Sequence, residues 1–365
     1  MNILLLEPDY YTRYPPLGLM KLASYYRSRG DRVKLVRGTA AVDRFVPDRV
    51  EVTSLFTYAW DSVHKAIRHV QGLFPDASIR VGGIYASLMP NHIRASFPRV
   101  KVHKGLYPEA EGFLPAYDLL EETEKWKGWD TSIVFTSRGC IRNCPFCMVP
   151  RVEGRFRSVA SNLDYQISPS HSKVSIWDNN FLASPDWRRV LGVLEDEGLK
   201  VDFNQGLDAR LIDEEKAKAI VGLDLPLLRM AFDTASESGA IDAAVDLLSD
   251  SGARRRSMLF YSLFNFFDAR NNAGDTPSDF LDRARRILNL GCVSYPMRYE
   301  PLDSLRKNQF VSPFWTDRQL ELIAKARRVI GYGGAFPPYK GLIDKIDSAS
   351  CFDQAFSLNP STLPS

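Results

Sequence analysis

Short apolar runs alternate with amphipathic stretches along the N-terminal third of the chain. Continuous apolar runs are typical of strands buried on both faces, whereas apolar residues that recur every three or four positions indicate a helix packed on one side. The pattern predicts strands at 2–6, 32–36, 49–56, 79–81 and 100–103 and helices at 17–28 and 60–74. Because strands and helices alternate with short connections, we expect a doubly wound parallel sheet, whose ligands would lie beyond the carboxyl ends of its strands.

A second alternating series begins at residue 132, after a charged connector at 121–127. Six strands are predicted, at 132–136, 174–177, 201–204, 228–232, 257–264 and 292–297. Amphipathic helices are predicted between most of them, at 186–197, 213–221, 236–248 and 278–290. Six β/α units within about 170 residues fit a partial (β/α)6 barrel better than a complete eight-stranded barrel of about 250 residues. The expected fold class is therefore α/β, a flavodoxin-like (doubly wound) domain followed by a partial barrel.

The domain boundaries follow from these two series. We expect the doubly wound domain at residues 1–120, the partial barrel at 130–300, and a helical C-terminal extension at 301–365. The extension contains one well-marked helix at 316–330, for which Thr316 is a suitable N-cap.

The amino-acid composition adds little to these predictions of fold and domain boundaries. The chain has 365 residues, of which 45% are hydrophobic and 25% charged, as is ordinary for a globular protein. With 47 basic and 44 acidic side chains, the net charge of +3 is too small to imply a polyanionic partner by itself. No apolar run approaches the roughly 18 residues of a membrane span, and no leader-like segment opens the chain. We therefore expect a cytoplasmic protein with no membrane partner.

Three of the five cysteines lie on one loop after the strand at 132–136. Cys140, Cys144 and Cys147 have the spacing C-x3-C-x2-C, and thiolates bind soft metals and iron–sulfur clusters. Three ligands leave one metal corner open, whereas a structural zinc site is closed by four. Cys292 and Cys351 stand far away in the sequence, and we expect both to be buried as small apolar residues. Zinc or a structural group of cysteines remains the alternative.

This motif, with Phe146 directly before its last cysteine, resembles the signature of the radical S-adenosylmethionine (SAM) enzymes. In that family the three cysteines hold a [4Fe-4S] cluster, and the fourth iron binds the amino and carboxylate groups of SAM. One electron from the reduced cluster cleaves SAM to methionine and a 5′-deoxyadenosyl radical, which abstracts hydrogen from the substrate. The resemblance implies Cys140, Cys144 and Cys147 as metal ligands, Phe146 as a cofactor contact, and an electron donor of the flavodoxin or ferredoxin type.

Several N-terminal segments resemble the class of radical SAM proteins in which a cobalamin-binding, flavodoxin-like domain precedes the barrel. These segments are YPPLGL (14–19), VGGIYAS (81–87), GLYPEAE (105–111) and LPAYD (114–118). The D-x-H-x-x-G motif that places an imidazole on cobalt does not occur, and we expect His64 and His69 on a solvated helix face. Some members of this class bind cobalamin without that histidine and others keep the fold with no cofactor, so cobalamin stays open.

The carboxyl ends of the predicted barrel strands supply the other candidate cofactor contacts. Asp178 and Asn179 form a turn that resembles the one near the SAM amino group in related enzymes, with an ordinary Asx turn as the alternative. Arg210 can fork onto a carboxylate and Asp208 can accept from a ribose hydroxyl, but an internal ion pair at the barrel rim explains both residues equally well. Asp233 is carried over from the polar residue that many family members have after the fourth strand.

These features predict a radical SAM enzyme that reductively cleaves SAM at a [4Fe-4S] cluster and modifies, for example methylates, an unactivated carbon of a substrate that the sequence does not name. One alternative is radical modification of a nucleic acid or nucleotide, since arginine clusters such as 254–256 could contact phosphates. The other is a non-catalytic iron–sulfur or zinc scaffold, which would bind metal without turning over SAM.

Overall fold

A five-stranded sheet organises the N-terminal part of the chain in the computed structural model, which describes residues 1–40, 42, 44–163 and 166–358. Its strands are β1 (Asn2–Glu7), β2 (Arg32–Arg37), β3 (Arg49–Ser54), β4 (Ser78–Gly83) and β5 (Lys101–Val102). They are all parallel, in the order β2-β1-β3-β4-β5, with Leu5 opposite both Leu35 and Glu51. This is the strand order of flavodoxin-like sheets, and its topological switch point lies between β1 and β3.

The central strand β1 is buried on both faces, which explains its unbroken apolar sequence. On one face Leu4 and Leu6 share a core with α2 (Trp60–Leu73), and on the other Ile3 and Leu5 pack with α1 (Leu17–Ser28). Helix α1 has the predicted bounds because its buried residues recur at helical spacing. Three shorter helices follow in this part of the chain: α3 (Ile84–Leu88), α4 (Pro90–Ser96) and α5 (Pro108–Glu111).

All six strands predicted for the second series are present. The strands from here on are β6 (Ser132–Val134), β7 (Ser137–Arg138), β8 (Arg157–Ser158), β9 (Lys173–Ile176), β10 (Lys200–Phe203), β11 (Leu228–Ala231), β12 (Met258–Phe264), β13 (Phe267–Asp268), β14 (Ala273–Gly274) and β15 (Val293–Arg298). The helices are α6 (Val149–Val152), α7 (Trp187–Asp196), α8 (Glu214–Val221), α9 (Ser238–Asp250), α10 (Pro277–Asn289), α11 (Asp317–Ile330), α12 (Lys340–Ser348) and α13 (Phe352–Phe356). The whole is an α/β fold with parallel sheets.

The described residues group into two compact units. The first unit contains residues 1–140, 147–174 and 302–307, and the second contains 141–146, 175–301 and the described residues from 308 onward. In the second unit β11, β12 and β15 form a parallel sheet in that order, with Phe260 between Met230 and Ser294. The segment after β10 continues this arrangement, since Leu207 forms a parallel bridge with Met230. Consecutive strands are therefore neighbours from β10 to β15, apart from the small β13-β14 hairpin.

The C-terminal helices of the second unit share one core with α10. Phe280 on α10 packs with Trp315, Phe336 and Phe352 in this core. Helix α11 begins as predicted, because the Thr316 side chain accepts a hydrogen bond from the backbone N–H of Gln319. Residues 359–365 of the predicted extension lie outside the described residues. Among the residues that are described, no helix combines the length and the apolar character that crossing a bilayer requires.

Candidate active site

Backbone pairing places the first cysteine of the loop. In the first unit β7 and β8 pair antiparallel, and Cys140 continues the contact through a bridge with Arg155. Between them Gly139 has φ +73°, and a Cβ at this position would lie 2.4 Å from the carbonyl oxygen of Arg155. Only glycine fits so close an approach in a left-handed conformation. The position of the Cys140 backbone is therefore set by the strand pair and Gly139.

A buried arginine cluster supports the same segment. The Arg138 side chain is 6% exposed, and it pairs with Glu111 at 2.7 Å and with Glu153 at 3.2 Å. The backbone N–H of Gly139 donates to the other Glu153 oxygen at 2.8 Å. The guanidinium carbon also lies 3.2 Å from the centre of the Phe135 ring. We call Arg138, Glu111 and Glu153 the Arg138 cluster, and it ties the residues before Cys140 to α5 and to the segment after α6.

The thiols of the loop have the chemistry that an iron–sulfur cluster needs. Cys140, Cys144 and Cys147 are each partly exposed, and none of the five cysteines of the chain is in a disulfide. The Cys147 sulfur accepts a backbone N–H from Val149 at 3.5 Å. Among the described residues, no group of three or more His, Cys, Asp or Glu side chains is arranged to hold a single metal ion. The donor set, three reduced thiols on one loop, is compatible with a cluster whose irons each take one thiolate.

The two remaining cysteines behave differently from each other. Cys292 is fully buried, as predicted, and burial raises the pKa of its thiol to about 12. Cys351, which we expected to be buried as well, is exposed. It occupies the N-cap position of α13, at the point where the chain enters the helix, and the following Phe352 takes the place in the core. The prediction for Cys351 was wrong.

Asp208 is the centre of a polar cluster in the second unit. One carboxylate oxygen accepts from Arg142 Nε at 2.9 Å and from Asn180 Nδ2 at 3.0 Å. The other accepts from the backbone N–H and the Nε of Arg210, at 3.2 and 2.7 Å. Burial by itself would raise the pKa of Asp208, but the hydrogen bonds from Arg210, Arg142 and Asn180 outweigh it and hold that pKa below its usual value. We call Asp208, Arg142, Asn180 and Arg210 the Asp208 cluster.

Arg210 joins this cluster to the end of β11. Its guanidinium donates to Glu237 at 2.8 Å, and the second Glu237 oxygen accepts from the backbone N–H groups of Asp233 and Thr234 at 2.9 and 3.2 Å. The Asp233 carboxyl in turn accepts from the backbone N–H of Leu263 at 3.0 Å. Burial raises the pKa of Asp233 to about 6. The predicted residues Asp208, Arg210 and Asp233 are thus connected through Glu237.

Asp178 and Asn179 follow β9, separated from its last residue by Trp177. Asp178 is 2% exposed and Asn179 is half-buried. Their neighbour Asn180 contacts Asp208, so the turn after β9 and the turn after β10 are joined at the ends of adjacent strands.

Phe146 belongs to a series of aromatic rings in the second unit. Its ring centre lies 5.4 Å from that of Phe266, in an edge-to-face arrangement. Phe266 meets Tyr299 at 5.0 Å, and Tyr299 meets Phe310 at 5.6 Å. All four rings are partly exposed. The loop aromatic is therefore backed by rings from the ends of β12 and β15 and from the segment beyond them.

Sequence reasoning did not identify Arg142, Glu237 and Phe266 as parts of the site. A signal existed for two of them. Arg142 stands between two cysteines of the motif, and Thr234 with Glu237 has the S/T-x-x-E spacing of a capping box, which the structure forms. For Phe266 the sequence offers no comparable signal.

The carboxyl edge of the five-stranded sheet carries polar and aromatic groups at its switch point. Glu7 at the end of β1 is 1% exposed and accepts from the indole N–H of Trp126 at 2.8 Å. Tyr11 and Phe56, which follow β1 and β3, are 80% and 42% exposed. Phe56 also stacks on Tyr58, with ring centres 4.9 Å apart. Open α/β sheets bind ligands at this edge.

His64 is buried, contrary to the prediction. We predicted it on a solvated helix face, but it is 1% exposed and its Nε2 lies 2.9 Å from the hydroxyl of Tyr85. That hydroxyl also lies 2.5 Å from Nδ1 of His92. Burial, together with the nearby His92, lowers the pKa of His64 to about 4. The imidazole is therefore a neutral part of the core in the first unit.

Comparison with known proteins identifies the fold. No family model matches the chain, and no curated protein matches its sequence. Among solved structures, the chain is similar to TsrM from Kitasatospora setae, a radical SAM methyltransferase bound to its tryptophan substrate and the SAM analogue aza-SAM. The two are 15% identical and superpose with a TM-score of 0.62 over 89% of this chain and 76% of the TsrM chain. The chain thus shares its fold with a radical SAM methyltransferase.

Proposed function

We propose that the chain is a radical SAM enzyme, which binds a [4Fe-4S] cluster and SAM and cleaves SAM reductively to modify an unactivated carbon of its substrate. The observation that carries the proposal is a C-x3-C-x2-C loop, with Phe146 in place, on a chain whose likeness to a radical SAM methyltransferase covers 89% of its length. Neither feature depends on the other, because the structural likeness extends far beyond the loop.

We also assign three parts of the chain to separate domains. Residues 1–120 would form a flavodoxin-like domain of the cobalamin-binding type, 130–300 the partial (β/α)6 barrel, and 301–365 a C-terminal extension. The strand order β2-β1-β3-β4-β5 supports the first assignment. The sequential neighbours from β10 to β15 support the second, because consecutive β/α units place consecutive strands side by side.

Cys140, Cys144 and Cys147 would hold the cluster. When bound and reduced, the cluster would supply the electron that cleaves SAM to methionine and the 5′-deoxyadenosyl radical. The protein's part is to hold the loop still before that step. Gly139 and the Arg138 cluster do this on the side of Cys140, and the bond from Arg142 to Asp208 does it within the loop.

The SAM contacts would come from the strand ends. Phe146 offers a ring to the cofactor, and Asp178 and Asn179 offer oxygen acceptors to an amino group. Asp208 already accepts four hydrogen bonds, so we assign it to orienting Arg142 and Arg210. Arg210 would reach the SAM carboxylate by exchanging its bond to Glu237 for one to the ligand.

The Asp233 carboxyl would face the same region from the end of β11. Its raised pKa makes it an acceptor at neutral pH and a donor in mild acid. It therefore suits a contact to a hydroxyl or amino group of the cofactor better than a permanent ion pair.

Methyl transfer is the reaction that we place first, since TsrM is a methyltransferase. Cobalamin would then be a second cofactor, and the switch-point edge with Tyr11 and Phe56 is the surface on which we would place it. We also propose an electron donor of the flavodoxin or ferredoxin type.

The test is anaerobic purification, reconstitution with iron and sulfide, and measurement of bound iron and of 5′-deoxyadenosine released from SAM by a strong reductant. We expect Cys144→Ala to lose both signals and Cys351→Ala, a matched change at a cysteine outside the loop, to keep them. Wild-type protein that binds no iron, or a Cys144→Ala variant that still cleaves SAM, would refute the proposal. Bound iron without SAM cleavage would instead support a non-catalytic scaffold.

A further inference from the structure

Asn265 has an unusual backbone conformation for a buried residue. It follows directly after β12, has φ +66°, and is 0% exposed. A left-handed conformation is unfavourable for most L-residues and is tolerated best by glycine and asparagine. Its backbone N–H donates to the buried carboxyl of Asp275 at 3.2 Å. The surrounding bonds therefore hold the chain in this conformation.

The Asn265 side chain uses both ends of its amide. Nδ2 donates to the carbonyl oxygen of Phe310 at 2.9 Å, and Oδ1 accepts from the backbone N–H of Ser312 at 2.8 Å. The Phe310 carbonyl also accepts from Arg298 at 2.8 Å. A side-chain amide carries both an NH2 donor group and an oxygen acceptor, and a carboxylate or an apolar side chain lacks that pair. Asn265 thus attaches the segment 310–312 to the end of β12.

The left-handed turn at Asn265 directs the next residue, Phe266, towards the cysteine loop. Its ring contacts that of Phe146, which stands between the second and third cysteines. The Phe266 backbone is held from the other side as well, since its carbonyl oxygen accepts from Asp275 N–H at 3.0 Å. A Cβ on Gly274 would lie 2.4 Å from the same oxygen, so the two backbones are in close contact.

We propose that Asn265 is a positioning residue for the cofactor site: by turning the chain and fastening the segment 310–312, it holds Phe266 against Phe146 of the cysteine loop. The segment beyond β15 then becomes part of the site, because Phe310 contributes both the carbonyl that Asn265 binds and the last ring of the aromatic series. The position of Phe266 does not depend on SAM, whereas an effect of Asn265 on SAM binding rests on the function proposed above.

The position of Phe266 can be tested in the whole 365-residue chain without iron. A single 4-fluorophenylalanine at position 266 reports the surroundings of the ring by 19F NMR. We expect Asn265→Gly, which keeps the backbone conformation and removes both amide bonds, to shift and broaden the resonance. Asn265→Asp keeps the acceptor for Ser312 but sets a carboxylate oxygen against the Phe310 carbonyl, so it should also shift the resonance. The matched control is Asn272→Gly, because Asn272 is exposed and also has a positive φ, +47°.

Resonances of Asn265→Gly and Asn265→Asp that coincide with the control would overturn the proposal. If Asn265→Gly fails to fold, the 19F resonance of Asn265→Asp tests the proposal by itself. In reconstituted enzyme we expect both variants to raise KM for SAM by roughly tenfold with a smaller change in kcat, as misplacement of a binding group does. If the wild type binds no cluster, the proposed function fails while the NMR result still decides the position of Phe266.

Discussion

Two arginine–carboxylate clusters have an arginine beside or within the cysteine motif, Arg138 and Arg142 respectively, and they differ in how much water reaches them. In the first unit, the side chains of Arg138 and Glu153 are 6% and 9% exposed. In the second unit, Asp208 is equally buried at 6%, but its partners Arg142 and Arg210 are 34% and 36% exposed. In the first cluster the arginine and Glu153 are buried and Glu111 is 24% exposed, whereas the second has a buried acceptor with more accessible donors.

This difference indicates different tasks. A buried ion pair must stay complete, since removing one partner leaves an uncompensated charge in a poorly solvated place. An accessible guanidinium can exchange one carboxylate for another or for water at little cost. The Arg138 cluster is therefore suited to fixing the backbone at Gly139 and Cys140. The Asp208 cluster is suited to holding arginines that can still bind a ligand.

The largest effect that would separate the clusters is expected from Arg138→Ala. This change leaves Glu111 and Glu153 without their cation, and we expect it to lower the free energy of unfolding by about 3–5 kcal/mol. The control is Arg27→Ala, also in the first unit, whose ion pair with Asp118 is exposed and should contribute less than about 1 kcal/mol. Denaturant unfolding of both variants measures the difference. If Arg138→Ala and Arg27→Ala lost the same unfolding free energy, burial would not make the Arg138 cluster more important for stability than an exposed ion pair.

A smaller effect, which depends on pH, is expected at Asp233. Its pKa of about 6 in the folded protein lies above the ordinary 3.8, so ionisation of this carboxyl destabilises the folded state. The penalty is absent below about pH 4, grows as the pH rises, and is complete above about pH 7, where it reaches at most about 3 kcal/mol.

Asp233→Asn removes this penalty and keeps an oxygen that can accept the Leu263 N–H. The unfolding free energy of the variant minus that of the wild type should therefore increase between about pH 4 and about pH 7. A difference between the two proteins that does not change with pH would show that the carboxyl titrates normally.

The smallest effect concerns salt at the Asp208 cluster. Asp208→Asn weakens the bonds from Arg142 and Arg210, and we expect a loss of about 1–2 kcal/mol at low ionic strength. Because these donors are accessible, part of that loss should disappear when the ionic strength rises from about 0.01 M to about 1 M, where the Debye length falls from about 30 Å to about 3 Å. The loss caused by Arg138→Ala should change less. If the losses of unfolding free energy caused by Asp208→Asn and Arg138→Ala depended equally on salt, the two clusters would not differ in their accessibility to ions.

The elements of the fold could be predicted because their signals are local. Helix α1 was predicted with its observed bounds, and each predicted strand lies within a few residues of an observed one, since apolar runs and helical spacing directly reflect burial. The same spacing could have placed His64 correctly. It stands four residues after Trp60 and three before Ile67, on the face of α2 that packs inward, and its polar character obscured that position.

The contacts of the site could not be predicted, because they join residues far apart in the chain. Arg142 and Asp208 are 66 residues apart, and Asn265 and Phe310 are 45 apart. An internal Asp208–Arg210 pair was the predicted alternative to ligand binding, and that pair is present. The bond from Arg210 to Glu237, 27 residues away, could not be predicted. The motif identifies the cysteines, but the side chains that support them are determined by tertiary structure.

The close approach at Gly139 has a consequence for the assembly of a metal group. Ordering a backbone residue from a flexible state costs about 1–2 kcal/mol in conformational entropy. Because Cys140 is already held by its bridge to Arg155 and Gly139 by Glu153, that loss of entropy accompanies folding and does not reduce the affinity for iron. Incoming iron would therefore meet Cys140 as a preorganised first ligand. Replacement of Gly139 would displace this backbone and so remove the preorganisation of Cys140.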